Sequence, residues 1–292
     1  MAHIPVLPDE VIQWLRIDPA GVYVDATVGG GGHARAILER LTTGRLIAID
    51  RDQEAIERAG ERLQAFADRV SFYRAGYSAL SEILEQAGVG GVAGVLADLG
   101  MSRDQVEAAG RGFGFLRDGP LDMRMDPDLP LTAAQIVNHY GEKPLADLIY
   151  QFGEERRSQK IARAIVRARP LAGTKHLADV IVRAAPRTPR DRIHPATLTF
   201  QALRIAVNDE LGELEGLLAV APPLLNPGGR LVIISFHSLE DRLVKRAFRD
   251  WAKRGVLEIL TKHVVRPGDE ETRSNPASRS AKLRAAERTR GE

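Results

Sequence analysis

The sequence predicts an α/β fold: a doubly wound parallel sheet interrupted by an all-helical insertion. Three observations carry this expectation. Short β-rich apolar runs alternate with helix-spaced segments through the first hundred residues. The alternation then stops for about 95 residues, the usual scale of a small domain. After Gly228-Gly229 an apolar strand pattern resumes.

The elements follow in order. Val22-Tyr23-Val24-Asp25 reads as a strand, residues 28–33 as a turn of four glycines, and 34–41 as its helix. Residues 45–50 alternate as a second strand. Ile56, Ala59, Leu63 and Phe66 give helical spacing over 52–66. A third strand (70–73), a third helix (78–87) and a fourth strand (92–98) complete a βαβαβαβ run whose short connections imply parallel neighbours. From 101 to 196 the pattern is loop plus helices, and 196–221 is one long helical pattern. Residues 230–235 form a strand. Ser238 reads as an N-cap, with Glu240 and Asp241 in the first turn, where acids favour the helix dipole. Leu243, Val244, Ala247, Phe248 and Trp251 supply that helix's buried face, and 256–260 and 282–287 two last strands. Residues 266–281 read as mobile. The expected division is 1–100 and 197–292 for the sheet domain and 101–196 for the helical insertion.

The composition excludes several classes. At 292 residues, 44% hydrophobic and 27% charged, the chain can bury a core. It has no cysteine, which excludes disulfides, thiolate metal sites and cysteine nucleophiles. No apolar run reaches the ~20 residues of a membrane span, and the N-terminus shows no secretory pattern, so the expectation is a cytoplasmic protein. No histidine pair has ligand spacing, so no metal is expected. The net charge of +2 hides an uneven distribution. Residues 156–192 hold eleven Lys/Arg against two Asp/Glu, and 245–292 hold thirteen against seven. Segments of that density attract polyanions. Arg156, Lys160, Arg163 and Arg167 are spaced to share one helical stripe, apart from the apolar Ile161, Ala164, Ile165 and Ala168. Arg183, Arg187, Arg190 and Arg192 follow in an expected loop. With few aromatics nearby, contact to the phosphates of a polyanion's backbone is a better expectation than base stacking.

A glycine-rich turn between a first strand and its helix is a nucleotide site by default. Gly29-x-Gly31-x-x-Ala34 with Asp50 21 residues on fits the dinucleotide fingerprint. With Asp25 it also fits the first motif of S-adenosylmethionine-dependent methyltransferases, and in both an acid at Asp50 grips ribose hydroxyls. Asp25 placed for an ammonium, Asp98 at the carboxyl edge, and an acidic body suited to a sulfonium cation favour the methyl donor. A nicotinamide-dependent oxidoreductase and a non-catalytic ribosome-assembly factor are the rivals.

Longer motifs sharpen the choice. They are His3-Ile4-Pro5-Val6-Leu7 with Glu10, Asp25-Ala26-Thr27-x-Gly29-x-Gly31-Gly32-His33, Ala48-Ile49-Asp50-Arg51-Asp52, and Asp98-Leu99-Gly100-x-Ser102. Arg111-Gly112-Phe113 and Asp118-Gly119-Pro120-Leu121-Asp122-Met123-Arg124-Met125-Asp126 follow, then Gly153-Glu154-Glu155-Arg156. The last are His194-Pro195-Ala196-Thr197 with Thr199-Phe200-Gln201-Ala202, and Ile234-Ser235-Phe236-His237-Ser238-Leu239-Glu240-Asp241-Arg242. Through these the chain resembles, over nearly its whole length, the RsmH (MraW) family of 16S ribosomal RNA cytosine-N4 methyltransferases.

That resemblance implies a Rossmann-like class I methyltransferase sheet with a helical insertion and S-adenosylmethionine as cofactor. It implies cofactor contacts at Gly31, Gly32, His33, Asp50, Tyr77, Asp98 and Gln105. It implies a target cytosine in the decoding region of 16S rRNA, within the assembled or nearly assembled small subunit. A homodimer is the candidate oligomer. Ala97, Arg103 and Gly110 depart from the family pattern. Direct methyl transfer to an exocyclic amine needs the reacting atoms aligned about 3 Å apart and an acceptor for the amine's hydrogens. Asp98 is the candidate for that catalytic role, with a backbone carbonyl of its loop as the alternative. His237 reads as a substrate contact or a loop-fixing bond.

Overall fold

A computed structural model describes residues 5–101, 105–106, 108–189 and 193–290. His3, Ile4, Ser102, Arg103, Arg190 and Arg192 lie outside the described residues. The chain divides into a sheet unit, Met1–Gly100 with Leu211–Glu292, and a helical unit, Met101–Glu210.

In the sheet unit, helix α1 (Pro8–Leu15), not expected from the sequence, precedes β1 (Val22–Asp25), α2 (Gly32–Leu38), β2 (Arg45–Asp50) and α3 (Gln53–Arg62). Then come β3 (Val70–Arg74), α4 (Leu80–Gln86) and β4 (Val92–Asp98). The seven strands run in the order β3-β2-β1-β4-β5-β7-β6, where β5 is Leu225–Ser235, β6 Leu257–Ile259 and β7 Lys282–Arg288. The first five pair parallel; β7 pairs antiparallel with both β5 and β6. Alternate strand residues point to opposite faces. Val24, Ile47, Ile49, Val95, Ala97, Leu231 and Ile233 bury one face. Tyr23, Leu46, Ala48, Leu96, Val232 and Ile234 bury the other. Helices cover both faces, which is why these strands read as continuous apolar runs. The chain leaves β1 toward β2 on one side and β4 on the other. The carboxyl ends of those strands therefore flank a crevice, the usual ligand position in an open α/β sheet.

The helical unit contains α5 (Ala133–His139), α6 (Glu142–Gly153), α7 (Ser158–Arg167), α8 (Thr174–Ala184) and α9 (Thr197–Asn208). Its core includes Ile136, Leu145, Ile149, Ile161, Ile165, Leu177, Ile181, Phe200 and Leu203. The pattern at 196–221 is two helices. Asp209 takes a left-handed conformation (φ 47°), ending α9, and α10 (Glu210–Leu224) begins at once. The boundary between units therefore falls at 210/211 rather than 196/197. α9 belongs with the insertion because it packs on α6: Gln201 donates to the Phe152 carbonyl at 3.0 Å. A Cβ on Gly153 would stand 2.5 Å from the Leu198 carbonyl oxygen.

The run from Pro120 to Asp126 is a built loop. Asp122 and Arg124 pair through two 2.8 Å bonds. Hydrogen bonding from Arg124 holds the Asp122 carboxyl below the ordinary carboxylate range, against partial desolvation. Asn208, buried at the end of α9, accepts from the Met125 amide and donates to the Met123 carbonyl, both at 2.7 Å. Met123 and Met125 are buried. Gly112 (φ 72°) permits the close approach, since a Cβ there would fall 2.0 Å from the Pro120 oxygen.

Two further expectations change. Residues 266–281, read from the sequence as a loop segment without regular structure, carry α12 (Asp269–Ser274) and a 3-10 turn (Pro276–Ser280). Glu271 ties this segment to the N-terminal region by accepting from the Leu7 amide at 2.8 Å. Helix α11 (Ser238–Lys253) is capped by His237, not Ser238, in a reciprocal box with Glu240. The loop-fixing reading of His237 is the one the geometry supports.

Candidate functional site

The site grows from the ends of β1, β2 and β4. The turn after β1 is held by its neighbours, because the Ala26 amide donates to Leu96 and the Val28 amide to Ile49, each at 2.8 Å. Gly29 (φ 49°) and Gly31 (φ 73°) adopt left-handed conformations there, which cost L side chains energy. Gly32 and His33 open α2.

Asp50 does more than the motif implies. One carboxylate oxygen accepts from the Gly29 amide and the other from the Asp52 amide, both at 2.9 Å. Burial raises its pKa above the ordinary value, opposed by those two bonds. Each oxygen still has a lone pair, so the carboxylate can also receive ribose hydroxyls. Thr27, whose hydroxyl accepts from the Asp98 amide at 2.7 Å, joins the turn to the end of β4. The fixed distance between glycine turn and Asp98 thus depends on Thr27, a motif residue to which the sequence assigned no role.

Tyr77 sits in a 3-10 turn (Tyr77–Ala79) after β3. Glu213 on α10 fixes that turn. It accepts from the Ser78 amide at 3.1 Å and pairs with Arg51 at 3.2 Å, and the Arg51 guanidinium lies 5.9 Å from the Tyr77 ring centre. Glu213 lies 163 residues beyond Asp50 in a generic acidic helix pattern, so no local signal marks it.

Asp25, His33 and Asp98 form the electrostatic centre. Asp25 is 1% exposed and His33 6%; the Asp98 side chain is 16% exposed. His33 Nε2 lies 3.5 Å from Asp98 Oδ2, within ion-pair range but without hydrogen-bond alignment. Asp25 Oδ2, both His33 ring nitrogens and Asp98 Oδ1 are buried without a hydrogen-bond partner. Native proteins rarely leave such atoms unpaired unless a ligand or proton completes them. Burial pushes the Asp25 carboxyl up to about 7, although His33 and the Thr27 amide oppose it. Burial pulls the His33 imidazole down, but Asp98, then Asp25 and Glu271, outweigh it and leave its pKa raised. Carboxylates beside a glycine turn suit a donor that carries a sulfonium, an ammonium and a ribose.

One prediction follows from Asp25. Its carboxyl titrates near 3.8 when unfolded and near 7 when folded, so between those values the folded chain binds the extra proton. Stability therefore falls as pH rises through that interval and stays lower above it. Asp25→Asn cannot ionise but keeps the oxygen that accepts from the Thr27 amide at 3.2 Å. The variant is expected to lose this slope and to exceed the wild type at pH 8 by a few kcal/mol. Melting curves at pH 5 and pH 8 decide it; identical slopes for the two proteins would refute the assignment.

Gly31, Gly32, His33, Asp50, Tyr77 and Asp98 all belong to the sheet unit. Gln105 is buried in the helical unit. There, Lys160, Arg163 and Arg167 lie on α7, but Arg156 precedes that helix, so the stripe has three members rather than four. Arg183, expected in a loop, lies on α8. Lys160, Arg163, Arg167 and Arg183 line a groove of about 540 Å³ whose remaining walls are Ala164, Ala168, Val180 and Ala184. Arg163 also pairs with Glu142 at 3.0 Å.

Against known proteins, residues 1–289 match the family model described as the MraW methylase family. Ribosomal RNA small subunit methyltransferase H of Solibacter usitatus is 57% identical over 285 residues, covering 98% of this chain and 99% of the relative. The protein of the same name from Acidobacterium capsulatum is 54% identical over 294 residues, 98% of each chain. Among solved structures, an rRNA methylase from Streptococcus thermophilus aligns over 97% of this chain and 93% of its own, with 12% identity and a TM-score of 0.43.

Proposed function

The chain belongs to the MraW methylase family, and on that premise we propose that it methylates the N4 amine of a cytosine in the decoding region of 16S rRNA, within the small ribosomal subunit. It is an S-adenosylmethionine-dependent methyltransferase with a class I sheet. The observation that carries the reading is near-full-length identity of 57% to a ribosomal RNA small subunit methyltransferase, together with the Asp98 Oδ1 atom, buried without a hydrogen-bond partner at the crevice. Nothing supports the oxidoreductase or the non-catalytic assembly factor.

The donor, when bound, supplies a methyl group on an electrophilic sulfonium, and transfer is a direct displacement. The chain's residues hold and aim. The Gly31–His33 turn receives the amino-acid portion, Asp50 the ribose, and Tyr77 offers a flat ring for the base. Asp98 accepts hydrogen bonds from the cytosine amine, whose lone pair is otherwise delocalised into the ring, and so stabilises charge developing on nitrogen. The cytosine must be splayed from its neighbours, at a cost of a few kcal/mol.

Arg156, Lys160, Arg163 and Arg167, with Arg183 across the groove, hold flanking RNA by its phosphates. Reversing the α7 and α8 cations together is expected to weaken subunit binding. The slope of log affinity against log salt should fall by roughly 0.7–0.9 for each phosphate no longer neutralised, with donor affinity unchanged. An unchanged slope would remove RNA from this groove. No helix among the described residues is long and apolar enough to cross a membrane. A cytoplasmic location and a homodimer complete the reading, the latter open to sedimentation analysis. The decisive experiment is mass-spectrometric mapping of small-subunit RNA from a deletion strain, before and after adding the protein and its donor. A single cytosine gaining one methyl is expected; no modified nucleotide would overturn the function.

A further inference from the structure

We propose that His33 is the proton exchanger of this site: its imidazole gives up a proton when the sulfonium donor binds and takes one back once transfer has left a neutral thioether. The inference rests on the donor reading above, and it concerns how the chain balances the charge that reading brings in.

The geometry is specific. The first turn of α2 carries the His33 ring into a buried place where neither nitrogen has a hydrogen-bond partner. The groups facing it are Asp98 from the end of β4, 3.5 Å away, Asp25 from the end of β1, and Glu271 from α12. Asp9 and Glu10 of α1 act on Glu271, and Asp50 acts on Asp25. All of these are acids. Such a cluster favours one positive charge at its centre, and in the free protein a protonated imidazole supplies it, consistent with the direction of its shift. The donor's ammonium is shared with the product and is offset by Asp25 in this reading; the sulfonium is a further, permanent positive charge that only the donor brings. Two like charges in one buried site repel strongly. Of the two, only the imidazole can discharge, by releasing its proton to solvent.

The exchange then closes in atoms and charge. The sulfur–carbon bond breaks and leaves its electron pair on sulfur as a neutral thioether, while the nitrogen–carbon bond forms. The methylated amine sheds one proton to the Asp98 carboxylate. His33 Nε2, facing Asp98 Oδ2, accepts it and restores Asp98 as a carboxylate. The centre again holds one positive charge, now on His33. Neutral imidazole accepts that proton more readily than water does, and Asp98 need not stay protonated into the next turnover.

Donor and product should therefore differ in pH dependence. S-Adenosylmethionine binds only after His33 deprotonates, so its affinity rises by up to about tenfold per pH unit until the imidazole is neutral. S-Adenosylhomocysteine, with no charge on sulfur, binds with the proton retained. Product release should thus improve relative to donor capture as pH rises.

The test is calorimetry of both ligands with the intact protein, at one pH in two buffers of different ionisation enthalpy. Release of about one more proton is expected with S-adenosylmethionine than with S-adenosylhomocysteine; any proton that Asp25 loses to the ammonium is common to both ligands. The difference should vanish in His33→Asn. Equal proton counts for the two ligands in the wild type would overturn the proposal without any variant. So would a difference that survives in His33→Asn. If neither ligand binds, the donor reading itself fails, a separate outcome from binding without proton exchange.

Discussion

Asp98→Asn is expected to lower the rate of methyl transfer by about a thousandfold, the loss seen when a preorganised polar group at a reacting centre is removed. The substitution changes little else. The backbone amide of residue 98 still donates to the Thr27 hydroxyl, and Ala97 and Leu99 on either side stay buried in the same cluster. An amide at this position presents one oxygen and one NH2, so it can accept a hydrogen bond from the cytosine amine but cannot take its proton. Single-turnover transfer to isolated small subunits should show the loss in rate, while donor affinity falls far less and the melting temperature stays near the wild type. Loss of less than about tenfold would move the acceptor role to a loop carbonyl, the alternative the sequence left open.

That ambiguity shows where sequence reading stops. The βαβ order of the first hundred residues was legible because period-two and helical spacing alternate without interruption, and β4 runs from Val92 to Asp98 as expected. The glycine turn and Asp50 were legible because their spacing is local. Three kinds of information were not. The break at Asp209 depends on a single left-handed residue inside a continuous apolar pattern, so two helices in different units read as one. Glu213 and Thr27 act through contacts with Ser78, Arg51 and Asp98, which only the folded chain brings together. Arg183 lies just before Ala184-Ala185-Pro186 and reads as loop, yet α8 continues through Ala184 and places it opposite α7. The family resemblance named Asp50 and Asp98 as cofactor contacts but could not say what else their carboxylates hold.

For Asp50 that second duty has a measurable consequence. Asp50→Ala removes the acceptors for the Gly29 and Asp52 amides, and each buried amide left unpaired costs about 1–3 kcal/mol. The variant should be less stable by roughly 2–4 kcal/mol on that account, and the turn, untied from β2, loses its fixed shape. The ribose hydroxyls lose a charged acceptor as well. Together these should weaken S-adenosylmethionine binding by at least about a hundredfold, since bonds to charged groups are worth roughly 1.5–3 kcal/mol each. Asp50→Asn separates the two duties. Its oxygen serves one amide, but its NH2 faces the other donor and offers no charge to the ribose. It should fall between the wild type and Asp50→Ala in stability while binding almost as poorly as the alanine variant. Calorimetric affinity measured well below each protein's melting temperature distinguishes lost binding from lost folding. If folded Asp50→Ala bound the donor as tightly as the wild type, the carboxylate would be a strut for the glycine turn alone, and the ribose would have to be held from elsewhere in the crevice.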